Sequence, residues 1–144
     1  MVNFATDKEI KYNFKKHNNM KANFTVMAIA NAVAHNLYVA TYMVADESCA
    51  EWETEEDVIA VESANDTTDY ARDLINNIIK EWDTISAREA RSNCEIAKEA
   101  INASVGIYKT ATCGNTETEE RRGCVTQLLY CASKLISEMI LTIK

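Results

Sequence analysis

Proline is absent from the 144-residue chain and glycine occurs three times, where average usage would supply roughly seven and ten. Without residues that break helices or turn tightly, the chain must be mostly helix with few, short connections. The same shortage excludes Rossmann turns, Walker loops and other glycine-rich phosphate cradles, whose backbones need several glycines at fixed offsets. Histidine is scarce too. His17 and His35 are the only two, and neither has a glutamate three residues before it. The Glu-x-x-His pairs that hold a di-iron or di-manganese centre in a bundle are therefore missing.

Five cysteines, Cys49, Cys94, Cys113, Cys124 and Cys131, include no Cys-x-x-Cys pair, so zinc finds no soft ligands at short spacing. The chain opens on alternating charged and polar residues, which do not read as a secretory signal. An odd number of scattered thiols in that context reads as reduced cysteine in a cytoplasmic protein. Cys113 and Cys124 flank one turn and are the pair that could join in an oxidising compartment.

Apolar residues make up 47% and charged residues 26%, a globular composition. A chain of this length buries roughly two thirds of its unfolded surface, enough for one core, so a single domain is expected over 1–144. The net charge of -7 is unevenly distributed. Residues 1–24 carry five lysines against Asp7 and Glu9, and residues 84–144 nearly balance. Residues 46–83 carry thirteen acids against Arg72 and Lys80. Such an acidic segment repels nucleic acid and favours basic partners or cations.

Apolar spacing and capping signals divide the chain into helices. Thr6 with Glu9 forms a capping box that opens a short first helix towards His17, with a break at His17-Asn18-Asn19. A second helix, about 20 to 46, has Val26, Ile29, Ala30, Val33, Leu37, Ala40 and Val44 on one face. Within it, residues 24–45 carry no formal charge and are long enough to cross a bilayer. Asn31, His35 and Asn36 in the middle favour a central bundle helix, so no membrane span is expected. A third helix, from the acidic start at Thr54–Asp57 to about Thr84, presents Ala71, Leu74, Ile75, Ile78, Ile79, Trp82 and Ile85. Its Ser63–Thr68 stretch resembles a cap cluster where two helices could meet.

Ser86 with Glu89 caps a fourth helix, whose small-residue seam runs Ala87, Ala90, Cys94, Ala97, Ile101, Ser104, Tyr108 and Ala111. Such a seam demands close approach of its partner. Gly114 is expected to end that helix and Asn115 to lie in the turn. Thr116 with Glu119 opens a last helix, which Gly123 could delay, faced by Val125, Leu128, Leu129, Ala132, Leu135, Ile136, Met139, Ile140 and Ile143. The expected fold is all-α: an up-and-down antiparallel bundle of four long helices plus a short N-terminal helix.

Three groups of residues could carry function. Glu62, Asp66, Asp69 and Asp73 fall at steps of four, three and four on one helix face, a repelling row unless solvated or met by positive charge. Asn31, His35, Tyr38 and Tyr42 form a polar stripe at the same steps and could line one side of a ligand pocket. Glu53 and Glu56 make the Glu-x-x-Glu pair with which helical nucleotide pyrophosphohydrolases begin a magnesium site, but no Glu-x-x-Asp follows.

The leading expectation is a non-enzymatic helical interaction module that needs no cofactor. It would be a homo-oligomer through its close-packing seam, and its acidic surface would take a basic protein partner. The alternatives are a magnesium-dependent phosphohydrolase using Glu53, Glu56 and the acid row, and a small-ligand binder around His35.

Overall fold

A computed structural model describes the backbone of residues 7–45 and 51–143 and the side chains of residues 24–43 and 51–143. Four helices and no strand occur among the described residues, so the protein is all-α. They are α1 (Asp7–Ala45), α2 (Glu55–Lys80), α3 (Ala87–Thr110) and α4 (Thr116–Thr142). Each packs on two others: α1 on α2 and α4, and α3 on α2 and α4, with no contact across either diagonal. Such a closed ring of four encloses one central core.

The core is what the apolar spacing dictates. Val26, Ala30, Val33, Leu37 and Ala40 of α1 are buried, as are Ile75 and Ile78 of α2 and Val125, Leu129, Ala132, Ile136 and Met139 of α4. Burying each large aliphatic side chain stabilises the fold by about 1.5–3 kcal/mol. The α3 seam turns inward: every member except the half-buried Ala87 is fully buried. Its close approach is consumed within the chain, so the seam offers no surface for a second copy.

Helix boundaries differ from the sequence expectation in six respects. Residues 7–45 form one helix, so the short N-terminal helix is not a separate element and His17-Asn18-Asn19 makes no break. Likewise α2 runs unbroken through Ser63–Thr68. Asparagine inside a helix costs only about 0.7 kcal/mol relative to alanine, which the burial of Val61, Ala64, Thr68 and Ala71 outweighs. The hydroxyls of Thr67 and Thr68 donate to the carbonyls of Ser63 and Ala64, one turn back within the helix.

At its other end α2 stops at Lys80, short of Thr84, because residues 81–85 close a tight turn on the Glu81 carbonyl. Gly114 is not a cap and has no positive φ; α3 ends at Ala111 in extended backbone. Asn115, not Thr116, caps α4, its Oδ1 accepting the Thr118 N–H at 2.8 Å. Gly123 then sits exposed inside α4 and delays nothing. Thr54 and Ser86 cap α2 and α3 as expected, each accepting an N–H three residues on.

Arginines close the opposite ends of three helices. Arg121 donates to the Met43 carbonyl at 2.7 Å, Arg122 to that of Ala111 at 2.6 Å and Arg91 to that of Ile143 at 3.1 Å. A guanidinium there satisfies carbonyls that no helical N–H can reach and meets the negative end of the helix dipole. The Arg121 contact sets the start of α4 beside the end of α1, and the Arg91 contact sets the start of α3 beside the end of α4.

One end of the molecule is stapled by its loops. Trp52 and Cys113 form an isolated antiparallel bridge, with the Glu53 N–H donating to Thr112 and the Gly114 N–H to Glu51 at 2.7 Å. A Cβ on Gly114 would lie 3.1 Å from both Cγ and the carbonyl oxygen of Glu51, so close backbone approach is why glycine stands here. The Thr118 hydroxyl accepts the Glu51 N–H and Asn115 bonds the Glu51 carboxylate.

Candidate functional site

The four residues Asn31, His35, Tyr38 and Tyr42 share the exposed face of α1 that lies opposite Val33 and Leu37. A ligand held there would lie on the surface of the bundle and not within it. Tyr38 and Tyr42 stack with ring centroids 6.5 Å apart, and the Arg72 guanidinium of α2 sits 5.6 Å over the Tyr38 ring. Asn31 spends its amide on the Met27 carbonyl of its own helix.

This stripe extends further than the four polar residues. Phe24, at 78% the most exposed large apolar side chain described, and Ala28 continue the same spacing. Positions 24, 28, 31, 35, 38 and 42 are all exposed and fall at steps of four, three, four, three and four. Only Thr25 and Ala32 are exposed besides them between residues 24 and 43. The signal was present in the sequence: two more steps towards the N-terminus reach Ala28 and Phe24.

Glu62, Asp66, Asp69 and Asp73 lie on the outer face of α2, opposite Ala64, Ala71 and Ile75. Glu62, Asp66 and Asp73 are exposed, whereas Asp69 is half-buried and pairs with Arg72 at 3.0 Å. Arg72 thus joins the two faces, bridging an acid of the row and a tyrosine of the stripe. Tyr70 stands exposed on the same helix.

Glu53 and Glu56 are exposed at the start of α2. Among the described residues no three histidine, cysteine, aspartate or glutamate side chains converge on a point where they could hold a metal ion. Glu53, Glu56 and the acid row therefore do not meet a third ligand in the way the phosphohydrolase reading requires. Beside them, the Thr54 hydroxyl and then the Thr112 backbone hold the Asp57 carboxyl below its ordinary range.

Cys94, Cys113, Cys124 and Cys131 are all unpaired, so Cys113 and Cys124 are not joined; Cys49 lies outside the described residues. Burial pushes the Cys94 thiol up to about 12 and raises Cys113 as well, although the Arg122 charge opposes the rise there. Neither is activated as a nucleophile. By length and composition alone, Phe24–Met43 and Thr116–Thr142 are apolar enough to cross a membrane.

Compared with known families, characterised proteins and solved structures, the chain finds no match.

Proposed function

We propose that this chain is a non-enzymatic interaction module: an up-and-down antiparallel four-helix bundle that self-associates and binds a basic protein partner on the outer face of α2. The observation that carries the reading is the outward placement of Glu62, Asp66 and Asp73 in register along one helix, beside exposed Tyr70 of the same helix. Acids in a row attract a complementary basic helix over a Debye length, and the tyrosine supplies broad, semi-polar contact area of the kind that anchors protein interfaces. The unpaired cysteines fit a cytoplasmic, reducing setting.

A lysine-rich amphipathic helical peptide serves as the probe, with binding followed by fluorescence anisotropy at two salt concentrations. The protein should bind it, more weakly at high salt. Combined Glu62→Gln, Asp66→Asn, Asp69→Asn and Asp73→Asn should weaken binding by roughly tenfold or more. Equal affinity of the wild type and the quadruple variant would remove the acidic surface from the reading.

A further inference from the structure

We infer that the exposed stripe of α1 is the seam on which a second copy of this chain docks, α1 against α1 and antiparallel. The inference rests on the self-associating part of the proposed function and names its surface. Alternating steps of four and three are the spacing at which one helix seats its side chains in the holes of another. In α1 that spacing recurs on the face turned away from the bundle, with six consecutive positions exposed from Phe24 to Tyr42. Among the described residues α1 packs only on α2 and α4, and what reaches the stripe from them is the Arg72 guanidinium beside Tyr38; all six positions stay exposed.

The stripe is complementary to itself when reversed. An antiparallel pair centred near Val33 sets Phe24 opposite the second copy's Tyr42, Ala28 opposite its Tyr38, and Asn31 opposite its His35. Aromatic meets aromatic at both ends, a small residue faces a large one, and an amide faces an imidazole. Such a contact is isologous, so the same match is made twice about the two-fold axis. The central Asn31 and His35 also favour a protein surface over hydrocarbon, where both would have to be desolvated.

Charge fixes the direction of pairing. Residues 24–43 carry no formal charge, so the helices meet without repulsion. α1 has 39 residues against 24 to 27 in the other helices, about 58 Å of helix against about 36–40 Å. In the antiparallel pair, helical residues 7–20 run beyond Ala45 of the second copy. That segment has four lysines and two acids, whereas residues 51–57 have five acids and no base. Glu51, Glu53, Glu55 and Glu56 are exposed at that end of the molecule. The basic start of each α1 therefore reaches the acidic end of its neighbour; a parallel pair would set like charges together.

Sedimentation velocity over a range of protein concentrations tests this, with helical circular dichroism confirming that each variant is folded. The wild type should sediment as a dimer that weakens with added salt. Phe24→Lys with Tyr42→Lys should weaken association by roughly thirtyfold, as loss of aromatic anchors does. Both residues are exposed, so the core is untouched. Leu141→Lys, 72% exposed on α4, should leave the dimer intact. Lys15→Glu with Lys16→Glu should weaken it, and adding Glu55→Lys with Glu56→Lys should restore it. A monomeric wild type would overturn both this seam and the self-associating reading. A dimer unmoved by the Phe24 and Tyr42 changes, or broken by Leu141→Lys, would overturn the seam alone.

Discussion

The Ala64 carbonyl accepts hydroxyl protons from two helices, Thr68 of α2 at 2.8 Å and Ser104 of α3 at 3.0 Å. Tyr108 stands beside them, fully buried, its phenol hydrogen-bonded to the Thr68 side chain. Burial raises the Tyr108 pKa far above its ordinary range. This polar knot inside an apolar core fixes the register of α2 against α3, because a slid helix would bury unpaired hydroxyls. Tyr108→Phe should destabilise by about 1 kcal/mol in urea unfolding. Cys94 offers a pH test. Its folded pKa is raised from the ordinary 9.0 to about 12. The thiol's contribution is therefore complete below pH 9.0 and is lost as pH rises towards 12. Between pH 9 and 10.5, wild-type stability should fall faster than that of Cys94→Ala, by at most about 1.4 kcal/mol per pH unit. Parallel curves would mean that the thiol is not shielded.

Helix interiors were legible from spacing, and their ends only in part. Ser86 with Glu89 and Thr54 with Asp57 have the cap residue three positions before the N–H it accepts, and both are caps. Asn115 has the same relation to Thr118, but the neighbouring Gly114 suggests a helix stop and draws Asn115 into a turn. What Gly114 does depends on Glu51, 63 positions away, which no local pattern reveals. The same holds for Arg91 and Arg121, whose acceptors lie on the ends of helices that packing alone brings near. Gly114→Ala should therefore destabilise by about 1–3 kcal/mol through crowding against Glu51. Asn115→Ala should cost about 1 kcal/mol through loss of the cap. Both are read as a lowered Tm. If Gly114→Ala were neutral or stabilising, the staple between residues 51–53 and 112–114 would not be a close approach in solution.

At the scale of the whole molecule, the candidate surfaces follow from what the bundle does not use. The acid row and the α1 stripe were readable because solvent-facing residues of a packed helix lie opposite the apolar positions. Their relation to each other was not, since Arg72 links them only once α1 and α2 pack side by side. The α3 seam shows the converse: small residues at knobs-into-holes spacing mark close packing, but not whether the partner belongs to the same chain.

Millimolar magnesium or manganese should leave Tm unchanged, because a cation held by the folded state alone would raise it. A clear rise would revive the phosphohydrolase reading through Glu53 and Glu56. The most direct measurement is native mass spectrometry of protein purified gently, without added metal or chelator. A mass of twice 16.2 kDa with nothing further bound is expected of a self-associating interaction module. A single copy carrying a metal ion or small molecule that leaves on denaturation would contradict it.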